Sequence, residues 1–536
     1  MPRLSLGFDS STQSLKAVAI DIDSGEKVWE HSLNYRKDPR LNKFGINEQF
    51  ILPPRHPGEA DQPPQMYFAS IDAMFEDMPK EIRRDILVIN NSGQQHGHVY
   101  LNQMAKYHFE RLRNKGSSQR NLVDLLKSSL AYDRAPIWMT SDTLQEANEI
   151  REAVGGKQKM IEISGSDSPL RFTGAKIRKI RKEDYKVYDR TERIQLIGNL
   201  IQAILTGNSD VPCDFANACG MSLMDYKRKE WSVDLLEAVV KGFGGGEDNH
   251  HKIYQRLPKL AAPDSFVGKI AEYFVEKYGV NPECAIVAGS GDNPESKVLV
   301  SGDLLSLGTS FVNMVSTDGR TFDMAGFANA MYDGIGRPFM FGCRTNGAVV
   351  WDMVRDSYGI SGFEARDEAL RQPEVGGNKM FFWQPQNESF PVSGIFPQTR
   401  IGYETASFKD DITGIIESSL AAVYTHSSGF TTQTSEPLYV TGGPAESDEV
   451  MKRVAAMWNR PVIPIESGGV ALGAAVAGAY AYRGKSRLES YNSTLLHRKS
   501  AINPNPEHVK SYHGEGGYLE RFREQEARLI AENPIK

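Results

Sequence analysis

Apolar residues alternate with polar or small ones at Leu4, Leu6 and Phe8, and resume after four polar residues as Leu15, Ala17, Val18, Ala19 and Ile20. A period of two on either side of Ser10-Ser11-Thr12-Gln13 predicts a hairpin. The same arrangement returns 300 residues later, where Leu304-Leu305-Ser306-Leu307 runs into Gly308-Thr309-Ser310. Each copy opens a stretch rich in predicted strands, which points to two related domains. In the first stretch a strand at Ile86–Ile89 leads into Asn90 through Gly97, and helical periodicity follows over 119–131, 141–154 and 192–206. The run Cys284–Ala288 is apolar on both faces, the pattern of a short buried strand, and ends in Gly289-Ser290-Gly291. Strands are then predicted over 303–343, 437–440 and 461–464, with helices from Gly347, over 410–429, over 446–458 and over the small-residue run 470–482. Strands alternating with helices in both halves make an α/β protein. The domains expected are 1–296 and 297–485, followed by a tail, 486–536, whose charged helix at 516–532 reads as an appendage. Pro-rich residues 53–65 and the Gly244-Gly245-Gly246 run are read as irregular and flexible surface, with His250-His251 as loop surface; no Gly-Lys-Ser/Thr follows the glycines, so they are not a P-loop.

At 536 residues the chain is too long for one core. Its net charge of −6 argues against general nucleic-acid binding, which needs a basic surface, but not against a nucleotide ligand. The four cysteines, Cys213, Cys219, Cys284 and Cys343, have no zinc-like spacing and read as reduced thiols of a cytoplasmic enzyme. The run 470–482 is too short to span a membrane, and the N-terminus enters a strand without a signal-peptide pattern. The expected partners are therefore small molecules, with no nucleic acid and no membrane, in a monomer or homodimer.

Two turns carry the chemistry. Glycines before Asp292-Asn293 let the main chain approach a ligand and deliver a carboxylate and an amide at a strand end. Gly308-Thr309-Ser310 offers small residues, hydroxyls and backbone N–H groups suited to phosphate. A base in one turn and a phosphate cradle in the other suggest phosphoryl transfer. From the residues alone Asp292 is equally a helix N-cap.

The ordered motifs Gly7-Phe8-Asp9-Ser10-Ser11-Thr12-Gln13, Gly93-Gln94-Gln95-His96-Gly97, Pro136-Ile137-Trp138-Met139, Arg171-Phe172-Thr173-Gly174, Asp214 through Trp231, Gly291-Asp292-Asn293-Pro294, Ser306-Leu307-Gly308-Thr309-Ser310 and Thr441-Gly442-Gly443 resemble those of the FGGY carbohydrate kinases. Within that family the chain is most similar to the larger, eukaryotic-type xylulokinases, over residues 4 to about 485. The resemblance implies two ribonuclease-H-like domains of the actin/hexokinase type, with ATP, Mg²⁺ and sugar in the interdomain cleft. It implies transfer of the γ-phosphoryl of ATP to the 5-hydroxyl of D-xylulose. Asp292 becomes the catalytic base, and Gln95, His96, Trp138, Arg171 and Asn293 join it as sugar contacts, His96 as a donor and Trp138 as a stacking face. Asp9 is expected to hold Mg²⁺ through water, where the alternative is an Asx-turn acceptor. Ser11, Thr12, Gln13 and Lys16 are expected at phosphate oxygens, as are Gly308, Thr309 and Ser310, with Asn346-Gly347 opening a helix toward the nucleotide and Gly442 and Gly443 admitting the adenosine. One departure stands out: the family places Asp directly after Trp-Met, whereas Thr140 and Ser141 precede Asp142 here. A kinase for another ketose or polyol on the same scaffold is the alternative. A nucleotide-gated interaction protein of the actin kind is disfavoured by the joint presence of Asp292, Asn293, His96 and Arg171.

Overall fold

The N-terminal hairpin forms between Leu4–Ser10 and Ser14–Asp21, antiparallel, with Leu4 opposite Asp21 and Ser10 opposite Leu15. The computed structural model describes residues 2–243, 250–371, 375–388, 390, 394–431, 434–466, 468–484 and 487–533. The chain divides into two units, one made of Met1–Leu299, Ala330–Pro338 and Gly468–Leu495, the other of Val300–Asn329, Phe339–Ser467 and Leu496–Lys536.

In the first unit the strands lie in the order Phe266–Lys269, Ala285–Val287, Ile86–Gly93, Leu4–Ser10, Ser14–Asp21, Lys27–Asn34. The last three form an antiparallel meander, while Leu4–Ser10, Ile86–Gly93 and Ala285–Val287 are mutually parallel. Parallel neighbours are buried on both faces by helices, and Leu4, Leu6, Phe8, Ile86 and Ile89 are accordingly inaccessible to solvent. In the second unit Pro338–Arg344, Phe311–Ser316, Leu304–Leu307, Leu438–Thr441 and Val462–Pro464 adjoin in that order, antiparallel up to Leu304–Leu307 and parallel after it. These five strands repeat the order and directions of the five from Lys27–Asn34 to Ala285–Val287, so the echo between residues 4–12 and 304–310 is a structural repeat.

The small-residue helix, Val470–Arg483, belongs to the first unit and not to the second domain in which residues 297–485 would place it. A Cβ on Gly7 would lie 2.1 Å from the Ala471 carbonyl oxygen, and one on Gly473 would lie 2.0 Å from that of Glu295. Only a residue without a Cβ allows such backbone contact. The tail is not an appendage. Tyr491 is buried and donates to the Ile22 carbonyl (2.7 Å) in the first unit. Tyr512 and Tyr518 are buried in the second, where Tyr512 bonds Glu417 (3.1 Å) and Tyr518 pairs with Ser418 (3.0 Å).

Three local expectations change. Residues 192–206 are a strand, Thr191–Leu196, followed by a helix, Ile197–Thr206, because the strand pairs with His98–Asn102, a partner no local period reveals. Within 119–131 only Leu122–Leu126 is α-helical, started by the Asn121 side chain capping Asp124. His250 and His251 begin a helix, His250–Arg256, and Gly244–Gly246 lie outside the described residues. Among the described residues no helix is long and apolar enough to cross a membrane. All four cysteines are free.

The close approach predicts the cost of one methyl group. Gly7→Ala should lower stability by about 1–3 kcal/mol or more, as overpacking does in rigid cores, read as a drop in the urea midpoint.

Candidate active site

Asp9 sits at the end of its strand, opposite Ser92 on the parallel neighbour and Lys16 on the antiparallel one. Its Oδ1 is buried and has no hydrogen-bond partner. Burial first, and the Asp292 carboxylate second, push its pKa up to about 7, opposed by Ser92 and Lys16. A buried carboxylate oxygen without a donor fits a hard cation, or a water held by one. Lys16 is half-exposed and makes a 3.8 Å ion pair with Glu30. Ser11 and Thr12, partly buried, bond within the protein. Both the N–H and the hydroxyl of Ser11 donate to the Ser14 carbonyl at 3.0 Å. The Thr12 hydroxyl donates to Gln94 Oε1 (3.2 Å) and accepts from Trp138 Nε1 (2.8 Å). These hydroxyls shape the turn and are committed within the protein, contrary to the expectation that they face phosphate. Gln13 is exposed at the tip.

Thr12 closes a network that sequence reasoning passed over. Gln94 Nε2 donates to Gln62 Oε1 (2.7 Å), and Gln62 Nε2 donates to the Thr12 and Phe50 carbonyls, both at 2.7 Å. The network anchors the indole N–H of Trp138 and leaves 44% of that residue exposed, so Trp138 is a fixed open face and not core.

Asp292 begins the helix Asp292–Lys297. Its Oδ1 accepts the main-chain N–H of Asn293 (2.9 Å), the Asn293 side-chain amide (3.2 Å) and, more loosely, the Gln95 N–H (3.4 Å). Burial raises its pKa to about 6; the amides of Asn293 and Gln95 and the charge of Arg171 hold it from going higher. Asn293 also donates to Gln95 Oε1 (2.8 Å). Its amide nitrogen is thereby spent on orienting Asp292 and Gln95, not on a sugar. Gln95 Nε2, by contrast, is buried with no partner, a donor awaiting an acceptor.

His96 adopts a left-handed backbone, φ +66°, and stacks on Phe172 with ring centres 4.3 Å apart. Nδ1 lies 2.7 Å from the Gly220 carbonyl, which can only accept, so Nδ1 carries the proton. Burial, then the nearby Arg171, lower the pKa to about 3. The imidazole is neutral and its Nε2 accepts. His96 can therefore take a hydrogen bond from a hydroxyl but cannot give one, the reverse of the expected role.

Two further acids were missed. Asp214 is buried, accepts from the Asn217 N–H (2.7 Å) and the Ser290 hydroxyl (2.6 Å), and is raised to about 7 by burial. It fixes the residue two positions before Asp292; the sequence analysis held it only as the first residue of the motif Asp214 through Trp231, with no role given to it. Glu295 lies one turn beyond Asp292, fully buried, with Asn90 donating to Oε1 (3.1 Å) and nothing to Oε2. Burial drives its pKa well above the usual range. Thr140 and Asp142 also turn inward: the Thr140 hydroxyl donates to the Ala60 carbonyl (3.1 Å), and Asp142 is paired with His56 (2.8 Å) and Lys176 (3.1 Å).

In the second unit a cavity of about 300 Å³ is lined by Leu307, Gly308, Thr309, Trp351, Ile412 and Gly443, among others. That is the lower end of the range for small-molecule sites. Gly442 is left-handed, φ +101°, and a Cβ there would sit 2.2 Å from the Leu307 carbonyl oxygen; Gly443 faces open space. Thr309 is exposed. The Gly308 N–H is turned back onto the Ser310 carbonyl (3.1 Å). The helix Ala348–Ser357 does not aim its first amides outward: Ala348 N–H donates to the Gly308 carbonyl (3.0 Å) and Val349 N–H to that of Thr309 (3.3 Å). Its N-terminus supports the loop and does not meet a ligand through those two groups. Among the described residues no cluster of three or more His, Cys, Asp or Glu side chains forms a metal site by itself.

Residues 119–298 match the N-terminal domain of the FGGY family of carbohydrate kinases. Over 99% of its length the chain is 27% identical to the whole of the xylulose kinase of Schizosaccharomyces pombe. The solved xylulose kinase of Lactobacillus acidophilus superposes with a TM-score of 0.80 at 18% identity, covering 99% of both chains. The gluconate kinase of the same organism does so equally, at 0.80 and 19% identity, again over 99% of both chains. The two-domain α/β fold is thus that of sugar kinases with different substrates.

The raised carboxylates have a consequence for stability. A carboxyl group whose pKa is higher in the folded chain stabilises it fully below about pH 4, and that contribution is lost as pH rises through 6 to 7. Asp292→Asn should therefore be more stable than the parent at pH 8, by on the order of 2 kcal/mol, with the advantage gone at pH 4. Urea unfolding at the two pH values measures it.

Proposed function

We propose that this chain is a carbohydrate kinase of the FGGY family, whose N-terminal domain its residues 119–298 match, and that it transfers the γ-phosphoryl group of ATP to the 5-hydroxyl of D-xylulose, giving D-xylulose 5-phosphate and ADP. The observation that carries the reading is Asp292: a buried carboxylate at a helix start, oriented by two main-chain amides, with a pKa near 6. At neutral pH it is ionised yet basic enough to take a proton, as a general base must be. The sugar oxygen attacks the γ-phosphorus, its proton passes to Asp292, and the bond from phosphorus to the ADP oxygen breaks. Phosphoryl transfer demands positioning and charge neutralisation more than covalent help. Gln95 Nε2 would give a hydrogen bond to the sugar, His96 Nε2 would accept one, Arg171 would supply charge, and Trp138 would offer its face to the carbon skeleton. Asp9 would hold Mg²⁺, which when bound neutralises phosphate charge. The cavity beside Gly308, Thr309 and Gly443 would take the nucleotide.

D-Xylulose is preferred over other ketoses because the S. pombe relative, aligned along its whole length, carries that name. Thr140 and Asp142, the one departure from the family's pattern, are occupied inside the protein, and so give no reason to choose a different sugar. The free thiols accord with a cytoplasmic enzyme.

ADP release should be fastest with D-xylulose across a panel of ketoses and polyols; clear preference for another sugar would refute the assignment. Asp292→Ala should lower kcat by 10²- to 10⁴-fold, the usual contribution of a general base, while ADP still binds. In the parent, kcat/KM should rise with pH to a plateau, with a midpoint near 6, as Asp292 loses its proton. Asp9→Asn should raise the Mg²⁺ and ATP concentrations needed for half-maximal rate several-fold more than the sugar concentration, and equal effects on both would exclude the assigned role.

A further inference from the structure

One buried carboxylate in the second unit has no part in the chemistry described so far. Glu388 stands at the end of the strand Met380–Glu388, 2% exposed. Oε1 accepts the Thr345 N–H (2.7 Å), and Oε2 accepts both the Asn346 N–H (2.9 Å) and the Asn346 side-chain amide (2.8 Å). Asn346 Oδ1 in turn accepts the Gln386 N–H (3.0 Å), and its Nδ2 also donates to the Gln386 carbonyl (2.9 Å). The turn 345–347 is thus tied to the 380–388 strand from both sides. Arg344, buried, donates to the Asn346 carbonyl (3.0 Å), and its charge faces the carboxylates of Glu388 and Glu526. A buried carboxylate is retained at low cost only when its lone pairs are filled and its charge is met. Here both conditions hold.

What this turn supports is the loop of small residues. A Cβ on Gly347 would lie 2.7 Å from the Thr309 carbonyl oxygen and 2.8 Å from the Phe311 nitrogen. The turn rests directly on the main chain of 309–311, and the next two amides hold the Gly308 and Thr309 carbonyls from the same side. We propose that Glu388 is a positioning residue for the phosphate-binding loop, fixing through Asn346 and Gly347 where the main chain of Gly308–Ser310 meets the nucleotide's phosphates. The inference rests on the kinase reading above. Its content is specific: Glu388 acts on the phosphates and not on the nucleoside, because the groups it orders lie beneath the loop, while Trp351 and Ile412 line the cavity without touching its hydrogen bonds.

The test compares two ligands on the full chain by calorimetry, ADP and adenosine. Glu388→Gln keeps the volume but sets an NH₂ against one of the N–H donors. It should weaken ADP ten- to a hundredfold, the scale of a lost charge-assisted bond, and adenosine by less than about threefold. In turnover it should raise KM for ATP and leave KM for the sugar unchanged. Asn346→Ala, which removes the side-chain half of the clamp, should show the same selectivity, with the double variant no worse than the poorer single one; it also serves if Glu388→Gln does not fold. Equal loss of ADP and adenosine, or no loss of either, overturns the inference alone. Parent protein that binds no ADP overturns it together with the kinase reading.

Discussion

The first unit depends on a helix lying against a sheet at backbone distance. Val470–Arg483 touches three elements at once. Gly7 admits it to the strand carrying Asp9, Gly473 admits it to the helix carrying Asp292, and Ser5 donates to the Ala475 carbonyl at 2.6 Å. Asn90 donates to the Ala474 carbonyl (3.0 Å) from the strand that leads to Gln95 and His96. Side chains of ordinary size would separate these elements by several ångströms, and the two carboxylates would no longer feel one another. Close-packed interiors transmit such displacements because they have no free volume in which to absorb them.

That packing makes the site electrostatically costly. Asp9, Asp214, Asp292 and Glu295 are all removed from water, and burial is the first cause of every raised pKa among them. The chain answers each differently. Asp292 receives main-chain amides; Asp214 accepts from Ser290 and Asn217; Glu295 accepts from Asn90 on one oxygen only; Asp9 is left with an oxygen unfilled. Under the proposed roles, the group that exchanges a proton, the one that holds a turn and the one that meets a cation would be told apart by their donors and not by their residue type.

The two units show the same sheet put to two uses. Both begin with a hairpin whose first strand is parallel to the next strand inward. At the first hairpin tip the hydroxyls bond within the turn and leave a carboxylate behind it; at the second, small residues leave main chain beside a cavity. The tail, through Tyr512, Tyr518 and Glu526, is built into the second unit, and Glu526 contributes to the charge around Arg344 beneath the loop.

Much of this was written in the residue pattern. Period-two alternation marked the first hairpin, small residues marked the loops, and the repeat between residues 4–12 and 304–310 disclosed the duplication, because strand period and turn chemistry are local properties. Ownership of the 470–483 helix, the strand at Thr191–Leu196 and the burial of the tail were not local: each depends on a partner far away in sequence. The same division runs through the site. The chain by itself determined that Asp9, Gln95, His96 and Asp292 would stand at strand ends beside glycines. Only the tertiary structure decided that His96 is neutral and accepts, that Thr12 and Asn293 are bonded to their neighbours, and that Asp214, Glu295 and Glu388 are buried among polar partners. A hydrogen bond's direction and a carboxylate's charge are set by whatever packs against it, and that is known only once the chain has closed on itself.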